Sequence, residues 1–376
     1  MQLKSPRSIL LAALALPGLH GAAHADTPPE RGEITLSYLD YQDRQPGLDR
    51  IAVHSPSVSI LAPVAGVWTL EASLLHDSIS GASPRYHTAI SGASHMDDSR
   101  IAADVRVTRH FSRGSLSVSA SRSNENDYLS RALGVQGSIA SADQNTSFTF
   151  GAGVTNDRIN PVNGVVHDER RHTVELMAGV TQVLGVRDIA QFDLTHTDGE
   201  GYFSDPYKFL DIRPRSRTEN TALLRWNHRF DASGGTSRAS YRYYRDTFGI
   251  RAHTLSEEYV QPLGGGWTLT PSARLYSQSA ASFYFDAVYD PVFGPPSPPN
   301  FQFTPGLLIT QDQRMAAFGA LTLGLKAEKK LGADWVVDVK FEDYQQRAAL
   351  HLGGTGSPGL APFYARTWQL SLTRLW

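Results

Sequence analysis

The chain has no cysteine among its 376 residues. That excludes a disulfide framework, a thiolate metal site and a cysteine nucleophile. Beyond the amino terminus it has no apolar run approaching the ~20 residues that a membrane helix needs. It has no excess of positive charge either: Lys and Arg number 35 against 37 Asp and Glu, for a formal net charge of −2. This is not the balance of a nucleic-acid binder. Thirteen histidines are present, but apart from His20 with His24 and His167 with His172 no two have the close spacing of a metal site on one helix or hairpin. Mean hydropathy is −0.29, a value typical of soluble proteins. A barrel wall averages to the same figure, because its strands alternate lipid-facing and lumen-facing residues. Periodicity therefore has to decide between the two.

The first residues read as a targeting segment. Lys4 and Arg7 form a short basic start, Ile9 to Leu16 is apolar, and Ala23-His24-Ala25 has the small-x-small form of a signal-peptidase site. Pro17, Gly18 and the Asp26-Thr27-Pro28-Pro29 phrase argue against a buried cytosolic helix. The expected organisation is a leader over 1–25, cleaved near Ala25, and one domain over 26–376.

The remainder alternates in steps of two. Trp68, Leu70, Ala72 and Leu74 are separated by Thr69, Glu71 and Ser73. Leu116, Val118 and Ala120 sit among serines, and Phe148, Phe150, Ala152 and Val154 among Ser, Thr and Gly. The same phase recurs at Val174 to Val180, Ala190 to Leu194, Ala222 to Trp226, Ala239 to Tyr243, Trp267 to Leu275 and Trp335 to Phe341. This is the period of a strand with one apolar and one polar face, and helical spacing fits these windows less well.

Short connections, such as Pro63 to Gly66, Asp231 to Gly235 and Leu263 to Gly266, alternate with longer ones near 81–99, 157–169, 200–217, 279–312 and 346–362. The windows predict strands near 33–43, 50–62, 67–80, 100–110, 115–125, 128–140, 146–157, 170–183, 189–199, 218–230, 236–247, 252–262, 267–278, 313–327, 334–345 and 363–376. Alternation is weakest around Leu129 to Ile139 and His253 to Leu263. The fold class is all-β: a transmembrane antiparallel up-and-down β-barrel of about sixteen strands, with short periplasmic turns and long extracellular loops. A soluble sandwich or propeller also alternates. The continuous Ser/Thr/Arg-rich polar faces, the long strands and the short-long rhythm of the connections disfavour both.

Aromatics mark the strand ends. Trp68, Trp267 and Trp335 follow short turns, and Phe111 and Phe230 precede them, which suggests a periplasmic girdle. The last strand ends Trp368, Leu370, Leu372, Arg374, Trp376. A terminal aromatic after a period-two run is the form read by the barrel-assembly machinery. The expected partners are thus outer-membrane lipid and that machinery, with no nucleic acid. The last strand should pair with the one near Ile34 to Gln42.

Several longer phrases carry a resemblance. They include Ser37-Tyr38-Leu39-Asp40-Tyr41-Gln42-Asp43, Ser80 to Thr88, Asp157-Arg158-Ile159-Asn160-Pro161, Gly201 to Lys208, Ser240 to Tyr244 and Gly356 to Pro362. Across nearly the whole chain after the leader, the protein resembles the DUF3570 family of Gram-negative proteins. The resemblance implies an outer-membrane barrel and transfers no catalytic or ligand residues.

Two groups of residues could carry function. Asp104, Arg106, Glu175, Asp193, Arg225, Arg229, Arg238, Arg242, Arg274, Asp338, Lys340 and Glu342 fall on the polar phase of their strands. They read either as a salt-bridged wall or as a charge-selective constriction. Arg225, Arg229, Arg238 and Arg242 belong to two strands joined by one turn, so a basic ladder with anion preference is one reading. The second group lies in the long loops: Arg85, His87, Tyr202, Asp205, Lys208, Asp286 and Asp290, the last just before the stiff Pro291 to Pro299 stretch. These read either as recognition residues or as packing over the mouth.

His87 with His95 and Asp97 is the best metal-like cluster, and solvated loop residues are the alternative reading. His54-Ser55, His76-Asp77 and His253-Thr254 point to opposite strand faces and make no ready dyad. His172, His196 and His228 sit on the apolar phase and suggest rim positions. No enzyme activity, cofactor or metal is expected. Two functional readings stay open: a porin-like channel for small polar solutes, with some preference for anions, and a non-conducting barrel whose loops plug the lumen and dock a partner. A rim hydrolase is a third and weaker reading.

Overall fold

The computed structural model describes residues 27–82, 95–208, 210–286, 302 and 304–376. Residues 1–26, where the leader is expected, and Arg85, His87, Asp290 and the Pro291 to Pro299 stretch lie outside the described residues, and the side chains of His95 and Asp97 are not described. In chain order the strands are β1 (Glu33–Gln45), β2 (Leu48–Val64), β3 (Trp68–Ala82), β4 (His95–Phe111), β5 (Gly114–Asn124), β6 (Tyr128–Ala140), β7 (Thr146–Ile159), β8 (Glu169–Val183), β9 (Asp188–Gly201), β10 (Asp211–Ile212), β11 (Ser216–Arg229), β12 (Thr236–Asp246), β13 (Arg251–Leu263), β14 (Trp267–Gln278), β15 (Ile309–Thr310), β16 (Phe318–Leu331), β17 (Trp335–Arg347) and β18 (Phe363–Leu375). Sixteen close into one antiparallel barrel, while β10 and β15 pair with each other in a separate two-stranded ladder.

Closure is required by the solvent. In hydrocarbon every backbone N–H and C=O must find a protein partner, and a closed ladder leaves no edge unpaired. The seam joins β1 to β18, with Ile34 opposite Arg374 and Gln42 opposite Arg366. Just past it, Gly32 and Trp376 exchange backbone bonds of 3.1 and 3.0 Å. The indole of Trp376 lies across Gly32, where a Cβ would fall 2.4 Å from the ring. A side chain at position 32 would have to displace the Trp376 ring.

The two faces separate as the alternation requires. Leu36, Val118, Leu133, Phe150, Leu194 and Leu370 are exposed on the outside, where they meet lipid. Trp226, Phe230, Trp267, Trp335, Phe111 and Trp376 are exposed near the short turns and form the periplasmic girdle. Basic side chains lie over several girdle rings: Arg109 over Trp68, Lys329 over Trp267 and Arg374 over Trp335, at 5.2, 5.0 and 5.6 Å. Such pairs suit the headgroup level, where a ring sits in apolar surroundings beside a solvated cation.

Each predicted window holds a barrel strand, including the two weakly alternating ones. Hydrogen bonding along both edges fixes a strand there regardless of side-chain pattern. The largest shifts are of five residues: β4 begins at His95, so the connection after β3 is shorter than the 81–99 span suggests, and β16 begins at Phe318, so the connection before it is longer than the 279–312 span suggests. The β10–β15 ladder has no counterpart in the prediction, because two-residue strands carry no period to read.

Candidate functional site

The lumen wall is polar along its length. Hydroxyls bond across strands at Thr35–Thr373 (2.8 Å), Ser37–Ser371 (3.1 Å), Thr108–Ser117 (2.8 Å) and Ser115–Ser138 (3.0 Å). All eleven proposed lumen charges, together with Asp193, lie on the inward phase, flanked by lipid-facing neighbours. Asp104 accepts a bond from Ser73, and Arg106 stands opposite Glu71. Glu175 accepts from Thr197 at 3.4 Å. Lys340 pairs with Glu342 at 3.0 Å, and Asp338 lies opposite Glu328, which itself pairs with Lys326 at 3.1 Å.

The basic ladder is partly answered by its surroundings. Arg225 donates to the Gln191 side-chain oxygen at 3.2 Å, and the Gln191 amide donates to both oxygens of Asp193 at 3.0 and 2.9 Å. Arg238 stands opposite Asn227 on one side and Glu258 on the other. Arg242 reaches Thr221 at 3.4 Å and lies over the Tyr244 ring. Arg229 is at the periplasmic end opposite Thr236. Arg274 stands between Ser256 and Thr322. β3, which carries Glu71, lies eight strands from β12 in either direction around the barrel. The Arg238–Arg242 wall therefore faces the Glu71–Asp104 wall across the lumen. Arg274 and Glu258 point inward and are nevertheless exposed, so open space surrounds them in the lumen at their level.

The extracellular half is different. The chain between β9 and β11 and the chain around β15 fold together into a plug, with β10 against β15 at its centre. Two Asp-x-Arg triplets supply its ionic core. Arg213 forks onto Asp211 (2.6 and 2.5 Å) and reaches Asp312 (2.6 Å). Arg314 bonds both Asp312 oxygens at 2.8 Å through Nε, and Asp205 at 2.5 Å. Lys208 faces the same carboxylates. Three cations thus meet three anions, and the Asp211, Arg213 and Asp312 side chains are essentially inaccessible.

Burial alone would raise the Asp312 carboxyl, but Arg314, Lys208 and Arg213 outweigh it and hold the group well below the usual carboxylate range. Asp211 goes the other way. Burial lifts its carboxyl, Arg213 opposes the shift, and the neighbouring Asp312 and Asp205 add to it. Burial, reinforced by Asp211 and Asp205, pushes the Tyr202 phenol up to about 12.

Aromatics and buried polar groups fasten the plug to the wall. Phe203, Phe248 and Phe283 pack edge to face, with centroids 5.9 and 5.0 Å apart, beside Ile250 and Met315. Arg171 of β8 pairs with Asp157 (3.0 Å), donates to Tyr128 (3.1 Å) and lies over Phe203. Arg217 of β11 bonds Asp246 and Tyr244 and lies over Phe248. Gln278 of β14 donates to the carbonyls of Arg314 and Ala316. Tyr207 donates to Asp127 at 2.5 Å on the far rim.

Of the predicted loop residues, Tyr202, Asp205 and Lys208 therefore belong to the plug. Asp286 accepts bonds from Tyr284 of its own connection between β14 and β16 and from the Gly359 amide of the connection between β17 and β18. The residues that matter most here, Asp211, Arg213, Asp312 and Arg314, were not singled out from the sequence. Asp-x-Arg recurs in both loops, but the same triplet also starts at Asp98, Asp104 and Asp168, so it does not mark them. The three histidines expected at the rim each have a polar partner: His196 bonds Asn220 and Asp198 (2.9 and 3.0 Å), His228 bonds Asp188 (2.8 Å) and His172 bonds Asn156 (2.9 Å); His54, next to Ser55, bonds Asp40 (2.9 Å).

This architecture is that of an outer-membrane β-barrel. The chain belongs to the family described as a protein of unknown function, DUF3570, whose pattern matches residues 87–367. The Ser37 to Asp43 phrase lies before that span. No curated protein sequence matches. Among solved structures, the siderophore receptor PirA from Pseudomonas aeruginosa aligns at 10% identity and TM-score 0.44, over 85% of this chain and 57% of that one. CdiB from Acinetobacter baumannii aligns at 10% identity and TM-score 0.52, over 92% of this chain and 60% of that one. The chain thus spans less than two thirds of both. A bacterial polysaccharide outer membrane secretin aligns at 11% identity and TM-score 0.52, over 91% of this chain and 98% of that one. At these identities the likeness is one of fold.

Proposed function

We propose that the barrel is a channel for small polar solutes, narrowed on its extracellular side by the plug. One observation carries this reading: Arg274 and Glu258 point into the lumen and remain exposed to solvent, beneath a continuous polar wall. A sixteen-stranded wall encloses more space than its own side chains fill. The Arg238–Arg242 wall opposite Glu71 and Asp104 supports selection by charge distribution, with anions drawn along the basic side. Purified barrel in planar bilayers should give stepwise conductance, with a reversal potential under a salt gradient that favours anions. Silent bilayers with folded protein would defeat this reading.

The plug favours a second reading, a barrel closed at rest. Its ionic core is balanced and buried, and its aromatics are packed. In that case intact protein is silent and conducts only when the plug is loosened. For both readings, the strand ending at Trp376 is the segment the barrel-assembly machinery engages. Removing Trp376 should lower the yield of folded barrel in the outer membrane.

A further inference from the structure

The outside of the barrel carries a second site of a different kind. At the extracellular ends of β11–β13 lies a concavity of about 390 Å³, lined by Asn220, Tyr243, Arg245, Asp246, Thr247 and Arg251 among others. Arg245 and Arg251 are directly opposite each other on adjacent strands. Both are exposed and on the lipid-facing phase. Like charges directly opposite on a sheet are destabilising, and among the described residues neither guanidinium is held by a carboxylate. The carboxylate nearest in the lining, Asp246, is occupied elsewhere. It accepts bonds from Arg217 (2.5 Å), Tyr244 (2.9 Å) and the Ile250 amide (2.8 Å). On the other side Arg245 faces Asn220, a neutral donor and acceptor.

The level of the pair along the barrel is marked by the residues beneath it. Tyr241 and His253, both outward, bond to each other at 2.7 Å, and the Tyr243 ring lies 5.2 Å from the His253 ring. Such amphipathic rings settle at the membrane–water interface. One step further out, Arg245 and Arg251 stand where the headgroups of the outer leaflet lie. Guanidinium forks match phosphate geometry bidentately, and an anion between two of them removes their mutual repulsion.

We propose that Arg245 and Arg251 form a binding site for a phosphorylated lipid headgroup of the outer leaflet, on the outer surface of the barrel. The chemistry recognised is a phosphate, and its source is the surrounding lipid rather than the free ion. The test uses the full-length barrel in detergent and native mass spectrometry with bis-phosphorylated lipid A, dephosphorylated lipid A and inorganic phosphate as competitor. Wild type should retain the phosphorylated lipid. Arg245→Gln with Arg251→Gln should weaken retention by about tenfold or more, while Arg245→Lys with Arg251→Lys keeps part of it as point charges. Heat-modifiable gel mobility checks that each variant is folded. Equal retention by the Gln pair, or equal binding of the dephosphorylated lipid, overturns the site. Displacement by millimolar inorganic phosphate overturns the lipid as its source.

Discussion

Replacing Asp312 by Asn should release the plug without opening the barrel wall. Asp312 is inaccessible and accepts from Arg213, from Arg314 Nε and from the Arg314 backbone amide (3.0 Å). An amide of the same shape keeps one acceptor oxygen and loses the charge. Two buried arginines and Lys208 then face only Asp205 and Asp211, so the cluster carries a net positive charge out of water. Removing one partner of a buried ion pair costs roughly 3–5 kcal/mol. The lower end of that range is a change of more than about a hundredfold in an opening equilibrium. The cost falls on the plug, because the wall strands keep every ladder bond. Amide exchange over 202–215 and 309–317 should accelerate by that factor while β5 to β8 stay protected. Single-channel conductance should rise, or appear for the first time if the resting barrel is closed. Unchanged exchange in both loops, with the barrel folded, would refute the claim that this carboxylate holds the plug.

Acidification probes the same cluster. Asp312 has a folded pKa below its unfolded one, so its contribution is present above the ordinary carboxylate range and is lost only as pH falls through the lower folded value. Asp211 is raised, so it takes a proton first and becomes easier to bury as it does so. The plug should therefore stay protected from neutrality down to about pH 4 and loosen only well below it, as read by protease sensitivity of the loops against pH. Arg238→Glu with Arg242→Glu should shift the reversal potential toward cations; no shift would remove this wall from selectivity. Gly201 has φ 121°, and a Cβ there would fall 2.1 Å from the Arg170 carbonyl oxygen. Gly201→Ala should cost roughly 1–3 kcal/mol at the root of the plug, seen as a lower loop protection factor.

The sequence revealed the wall and hid the plug, for one physical reason. In hydrocarbon a strand must alternate, because one face meets lipid and the other water, so Leu116, Val118 and Ala120 among serines announce their fold locally. The plug obeys no such rule. Arg213 lies close in sequence to Asp211 but far from Asp312, and only the tertiary fold brings the two Asp-x-Arg triplets together. Tyr202, Asp205 and Lys208 stood out as unusual loop residues, yet nothing local distinguishes a side chain that greets a ligand from one that is neutralised by Arg314. The same limit applies outside the barrel. Arg245 and Arg251 each look like ordinary rim charges, and the pair acquires meaning only when the register sets them side by side on the lipid face. Alternation fixes which way a side chain points, whereas register and loop packing decide what it meets there. The proposed charge selection, closure and lipid binding all depend on that second kind of information.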